Sequence, residues 1–278
     1  MGLLADMQRT GHERVAAAKA RVTEPELRAQ IAGSPPPPRL DLADGGFDVI
    51  AELKLRSPAR GVLVRQSSDP AARLAAYAQG GAAAVSVLTE PTRFDGSLEH
   101  LRLAVETLTP RGVPVMRKDF LVDPYQLLEA RAQGASGALL ILRLVERATL
   151  IEMLDCAAEL GLFVLLEAFD AGDVEAAAEI AGERRGRSDQ VLMGLNCRNL
   201  ETLAIDPRRF GALRDKLPAG WPAVAESGVE SPRDAAAVAA LGYRLALVGT
   251  SLMKHADPAS ATAQLIEAGR RACNTSHA

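Results

Sequence analysis

From residue 47 onward, short runs of Val, Ile and Leu alternate with longer Ala-rich stretches of helical character. The runs are Asp48–Leu53, Ala83–Leu88, Val113–Arg117, Ala138–Arg143, Leu162–Ala168, Val191–Asn196, Pro222–Glu226 and Leu245–Gly249. They recur about 23 to 35 residues apart, the repeat of a strand followed by a crossover helix. Being apolar throughout, they suit parallel strands covered on both faces. Eight such units predict an α/β fold, a closed (β/α)8 barrel. An open doubly wound sheet would want a G-x-G-x-x-G turn after an early strand, and the sequence has none.

Ahead of the repeat, residues 3–32 read as helical and rich in Ala, Arg and Glu. Ser34 and the four prolines Pro35–Pro38 then stop any helix and form a stiff connector. Leu3, Leu4, Met7, Val15 and Leu27 give the segment enough apolar surface to pack on the barrel and partly cover its mouth. The organisation predicted is one domain over 1–278. Residues 1–46 are its helical extension and connector, and 47–272 its barrel.

Composition narrows the function classes. At 278 residues and 48% hydrophobic content, the chain can bury one sizeable core. A net charge of −3 is too small, and of the wrong sign, for general nucleic-acid binding. Apolar runs are too short to span a membrane, and the first residues lack the apolar stretch of a signal peptide. Asp6 stands where a myristoylation signal needs Ser or Thr. Cys156, Cys197 and Cys273 have neither metal-type spacing nor an even count, so they read as reduced thiols in the cytoplasm. Asn274-Thr275-Ser276 matches a glycosylation sequon, taken as chance in a cytosolic chain.

The active sites of such barrels lie at the C-terminal ends of the strands. The first run closes on Glu52-Leu53-Lys54-Leu55-Arg56-Ser57-Pro58, and period two puts Glu52 and Lys54 on one face. By themselves they read equally well as a structural ion pair or as part of a site. Ser86 lies near the end of the second run, with Phe94 just beyond it. The third ends at Lys118 and Phe120, the fifth at Glu167, the sixth at Asn196 and Arg198, and the seventh at Glu226. So many ionisable groups at one concave mouth imply acid–base chemistry on a charged substrate. Lysines beside other cations are expected to have lowered pKa values, which also permits a Schiff base. Ser227-Gly228 and Gly249-Thr250-Ser251 close the seventh and eighth runs, where barrels often hold phosphate on small-residue turns and a helix N-terminus. The expected ligand is a phosphorylated small molecule.

In order along residues 47–255, the chain carries Ile50-Ala51-Glu52-Leu53-Lys54 with Ser57-Pro58, then Ser86-Val87-Leu88-Thr89-Glu90 and Arg117-Lys118-Asp119-Phe120. Gly194-Leu195-Asn196-Cys197-Arg198-Asn199-Leu200, Ala225-Glu226-Ser227-Gly228 and Leu247-Val248-Gly249 follow. This set resembles the indole-3-glycerol-phosphate synthase family, which also has an N-terminal helical extension. The resemblance implies ring closure of 1-(2-carboxyphenylamino)-1-deoxyribulose 5-phosphate with loss of carbon dioxide and water, in tryptophan or a specialised indole pathway. It implies no metal and no organic cofactor, and leaves other tryptophan-pathway enzymes as candidate partners. It makes Lys118 the general acid, with Lys54 steadying the carboxylate and Glu52 orienting both lysines. Glu167 would serve dehydration, Asn196 and Arg198 would hold polar groups, and Ser227 and Glu226 would sit close by. Phe94 and Phe120 would line an aromatic slot, and Ser86 and Glu226 would also bind substrate. Arg56, Ser57, Gly228, Gly249 and Thr250 would cradle phosphate.

Three positions depart from the family pattern. Arg56 stands where a lysine is usual, Ala168-Phe169-Asp170 replaces Val-His-Asp, and Cys197 replaces Asn. If Asn196 and Arg198 point inward, period two turns Cys197 toward the helices, as packing rather than nucleophile. The departures suggest a divergent member. Rival expectations are a phosphosugar isomerase, a Schiff-base aldolase, or a non-catalytic paralogue that binds a phosphorylated metabolite.

Overall fold

The computed structural model describes residues 2–44, 46–57, 61–62 and 69–275. Among them, eight parallel strands close into a barrel: β1 (Asp48–Leu53), β2 (Ala84–Leu88), β3 (Val115–Lys118), β4 (Gly137–Ile141), β5 (Phe163–Ala168), β6 (Val191–Asn196), β7 (Ala223–Glu226) and β8 (Leu245–Val248). β1 pairs with both β2 and β8, which closes the ring. The strands fall on the predicted runs with two informative differences. The third run starts its ladder at Val115, because Pro114 has no N–H; its carbonyl accepts from Val85 N at 3.0 Å. The fourth ends at Ile141 and passes into a 3-10 turn over Leu142–Leu144, which carries Arg143 out toward Asp170 and Asp173.

Period two sorts each strand into two cores. Ile50, Met116, Leu139, Leu165, Leu192 and Val224 fill the barrel. Val49, Val87, Leu140, Leu166 and Met193 face the helix layer. Asp69, Ser97, Asp170 and Ser231 each cap a helix of that layer by accepting a backbone N–H. Cys197 continues the outward series of β6, is buried, and donates its thiol to Ser227 O at 3.2 Å, as period two predicts.

The helical stretch at 3–32 is two helices, α1 (Leu3–Lys19) and α2 (Glu24–Ala32). The break lies at Thr23, which forms a capping box with Glu26 while Pro25 occupies the first turn. Met7, Val15 and Leu27 are buried against the core that fills the barrel, and Leu3 and Leu4 pack on it. Gly11 lets α1 approach closely, since a Cβ there would lie 3.1 Å from Val122 Cγ2. Arg14 of α1 makes a double hydrogen bond with Asp119 just past β3, at 2.8 and 2.9 Å. No helix among the described residues is long and apolar enough to cross a membrane.

Candidate active site

Five inward positions at the strand ends build the floor of a cleft: Glu52 on β1, Lys118 on β3, Glu167 on β5, Asn196 on β6 and Glu226 on β7. Lys118 Nζ lies 3.5 Å from Glu226 Oε2 and 3.7 Å from Glu167 Oε1. Asn196 Nδ2 donates to Glu167 Oε1 at 2.8 Å, and Asn196 Oδ1 accepts from Arg198 N at 2.9 Å. Lys54, one turn of the pleat beyond Glu52, closes an ion pair with Glu52 Oε1. Two glycines make room for the carboxylates. A Cβ on Gly194 would collide with Glu226 Oε1, and one on Gly249 with Glu52 Oε1.

Burial and charge act against each other on this floor. Burial pushes the Glu52 carboxyl up, but Lys54, Lys118 and Arg198 outweigh it, so the group stays below its ordinary range. Burial likewise pulls Lys118 down, and Glu167, Glu226 and Glu52 reverse it; the ammonium is held well above its ordinary value. Glu226 rises well above the carboxylate range, first through burial and then through the Glu167 charge. Its Oε1 has no hydrogen-bond partner. The expected lowering of the lysines is therefore overturned at Lys118, because the charges closest to it are carboxylates, not cations.

The cleft encloses roughly 1060 Å³, its open mouth included. Phe94 and Phe120, with ring centroids 6.2 Å apart, stand on one side, and Ile141, Phe169, Leu200 and Leu3 continue the apolar wall. Leu3 brings the start of α1 to the mouth, as the apolar residues of that segment suggest. Ser227 and Gly228 both have left-handed backbone, φ 64° and 78°. Strain of this kind in a non-glycine residue is typical of sites whose surroundings over-determine it. Across from them, Gly249, Thr250 and Ser251 open a short helical turn, and the enclosed Ser251 Oγ has no partner.

Among the described residues, most of the predicted site lines this one cleft; Ser86 and Arg56 do not. Ser86 is fully buried in the barrel, in register with Glu52 and Met116, and its hydroxyl is unpartnered. Arg56 starts a short antiparallel ladder that leaves the barrel after β1, so its half-exposed side chain faces Asp95 at 3.5 Å instead of the cleft. The Ser57 side chain, with Pro58, lies outside the described residues. Conversely, the predicted site omitted Phe169, Leu3 and Asp119. Phe169 stood out only as a departure and Leu3 only as packing, since nothing local marks a residue that reaches the mouth through a docked helix. No group of three or more His, Cys, Asp and Glu among the described residues is arranged to hold a metal ion.

Fold and floor together define a (β/α)8-barrel enzyme with acid–base groups at the strand ends and small-residue turns after β7 and β8. The chain belongs to the indole-3-glycerol phosphate synthase family, which it matches over residues 4–265. Indole-3-glycerol phosphate synthase of Mycobacterium avium (strain 104) is 41% identical over 262 residues, covering 92% of this chain and 90% of that protein. The protein of that name from Mycobacterium tuberculosis (strain CDC 1551 / Oshkosh) is 40% identical over 259 residues, with the same coverage. Among solved structures, 3-hexulose-6-phosphate synthase from Salmonella typhimurium superposes with a TM-score of 0.62 at 13% identity, covering 81% of this chain and 100% of that one. A tryptophan synthase chain from M. tuberculosis gives 0.55 at 16% identity, covering 81% and 93%. These two share the fold alone.

Proposed function

We propose that the protein converts 1-(2-carboxyphenylamino)-1-deoxyribulose 5-phosphate to indole-3-glycerol phosphate, with release of carbon dioxide and water. The observation that carries this is the Lys118 amine, 3.5 Å from Glu226 and 3.7 Å from Glu167 under an apolar wall, in surroundings that favour its ammonium form. The ring carbon bearing the carboxylate attacks the ketone, and the ketone oxygen takes the Lys118 proton. The ring–carboxylate bond then breaks, its electron pair returns to the ring, and carbon dioxide leaves. In the last step the new hydroxyl departs as water while a proton is lost to a base. Glu167, which accepts from Asn196 Nδ2, serves that step in this reading. Lys54, held by Glu52, steadies the substrate carboxylate. Phe94 and Phe120 take the ring. Ser227-Gly228 and Gly249-Thr250-Ser251, with Arg198, receive the phosphate, a cradle that does not need Arg56.

A lysine held protonated favours proton donation over a Schiff base, which needs the neutral amine. Cytoplasmic location, beside other enzymes of tryptophan synthesis, belongs to the same proposal. The test is to incubate purified protein with the carboxyphenylamino-deoxyribulose phosphate and follow indole fluorescence. Absence of indole product, or trapping of a covalent adduct by borohydride with a carbonyl substrate, would turn the assignment toward an aldolase.

A further inference from the structure

Phe169 is a partition between two cavities. It lines the catalytic cleft and also a second cavity of roughly 990 Å³, open mouth included, between the start of α1 and the segments that follow β4, β5 and β6. The ring is only 4% exposed and is held from several directions. Its backbone N–H donates to Asp173 Oδ2 at 2.8 Å, and its carbonyl accepts from Arg209 Nη1 at 3.2 Å. The Arg143 guanidinium lies over the ring, 5.5 Å from its centroid, and is itself fixed by Asp170 and Asp173. A ring fixed through its backbone and its face does not swing aside to admit a larger ligand. Behind it Arg143, Arg198 and Arg209 line the space with the carboxylates Asp170 and Glu201, beside the apolar Leu3, Leu4 and Leu200.

We infer that Phe169 determines specificity by setting the size limit at the aromatic end of the substrate. The cavity behind it would take a substituent on the carboxyphenyl ring once the wall is shortened, with a carboxylate suiting its guanidiniums. This rests on the activity proposed above, because it supposes the aromatic end lies along the apolar wall.

The test compares wild type with Phe169→Ala on the unsubstituted substrate and on analogues bearing a methyl or a carboxylate at each free ring carbon. The readout is the ratio of kcat/KM, substituted over unsubstituted. Calorimetric Kd ratios for the same compounds give a second readout that does not need turnover. A wall that rejects one methyl-sized group is worth roughly 10–200-fold, so the ratio should rise at least about tenfold at one ring position in Phe169→Ala. Arg143→Ala, which removes the brace without touching the cleft, should move the ratio the same way by less. Phe169→Leu should fall between, and stands in if the alanine protein does not fold. Ratios that rise less than about threefold at every ring position, in kinetics and binding alike, overturn the inference. Failure of the proposed activity would look different: wild type would bind the compounds yet form no indole product, and the Kd ratios would still decide the role of the wall.

Discussion

Arg117, Lys118 and Asp119 are consecutive, yet they serve two charge clusters of opposite construction. Asp119 is a fully hydrogen-bonded carboxylate, in a cluster that leaves Arg14 Nε without a partner. Its carboxylate accepts from both Arg14 nitrogens, from Thr89 Oγ1 at 2.7 Å, from Phe120 N at 2.8 Å and from Arg117 Nη2 at 3.3 Å. Arg117 also donates to Gln126 O at 2.8 Å and Glu129 Oε2 at 3.2 Å. Lys118 belongs to the other cluster. It meets Glu226 and Glu167 only at 3.5 and 3.7 Å, and one Glu226 oxygen has no partner. A carboxylate saturated with hydrogen bonds is held rigidly, whereas a buried one with a spare oxygen stays responsive to an incoming proton or charge. The first cluster ties α1 to the end of β3, and the second is left for the substrate. Both act on the same short stretch of chain, so the rigid cluster also holds the reactive lysine in place.

Substitutions that exchange the behaviour of the two clusters test this contrast. The largest effect is expected from Lys118→Met, which should lower kcat by about 10²–10⁴-fold while circular dichroism shows the fold intact, because the side-chain volume survives and the proton does not. Retained activity would move the acid role to Lys54. Asp119→Ala should do the reverse, costing about 3–5 kcal/mol in urea unfolding because it strands Arg14 and Arg117, with a much smaller change in kcat. A loss under about 1 kcal/mol would show that the cluster does not hold α1.

Acid titration separates the clusters by sign. Asp119 is held down to about 2 from an ordinary 3.8, since Arg14 and Arg117 outweigh its burial. The stability it gives is therefore complete above its ordinary value and is lost as pH falls from 3.8 toward 2, in total on the order of 2 kcal/mol. Asp119→Asn should flatten that acid limb. Glu226 runs the other way: its raised pKa means the fold favours the protonated form, so its ionisation costs stability at neutral pH. Glu226→Gln should accordingly raise the neutral-pH unfolding free energy by about 1 kcal/mol, even as turnover falls. A clear drop in Tm at pH 7 would mean the carboxylate form is the one stabilised. The smallest effect is expected from Cys197→Ala, which faces the helices and should leave kcat within about twofold of wild type.

Much of this was legible in the chain itself. The eight runs gave the strands, and their unbroken apolarity gave a parallel sheet covered on both faces. Strand-end position singled out Glu52, Lys118, Glu167, Asn196 and Glu226, and period two put Glu52 with Lys54 on one face and turned Cys197 outward, because side-chain direction along a strand is a local property. The same local rule failed at two positions. Ser86 points inward but is buried in the barrel without reaching the cleft, and Arg56 is carried off by a ladder that begins as β1 ends. What the tertiary structure alone decided is which distant groups meet. Arg14 reaches Asp119 across 105 positions, Leu3 arrives at the mouth through a docked helix, and Phe169 acquires a cavity on each side. The direction of the Lys118 shift belongs with these, since pKa depends on the sum of charges within a few ångströms after packing, and strands far apart in the sequence supply them.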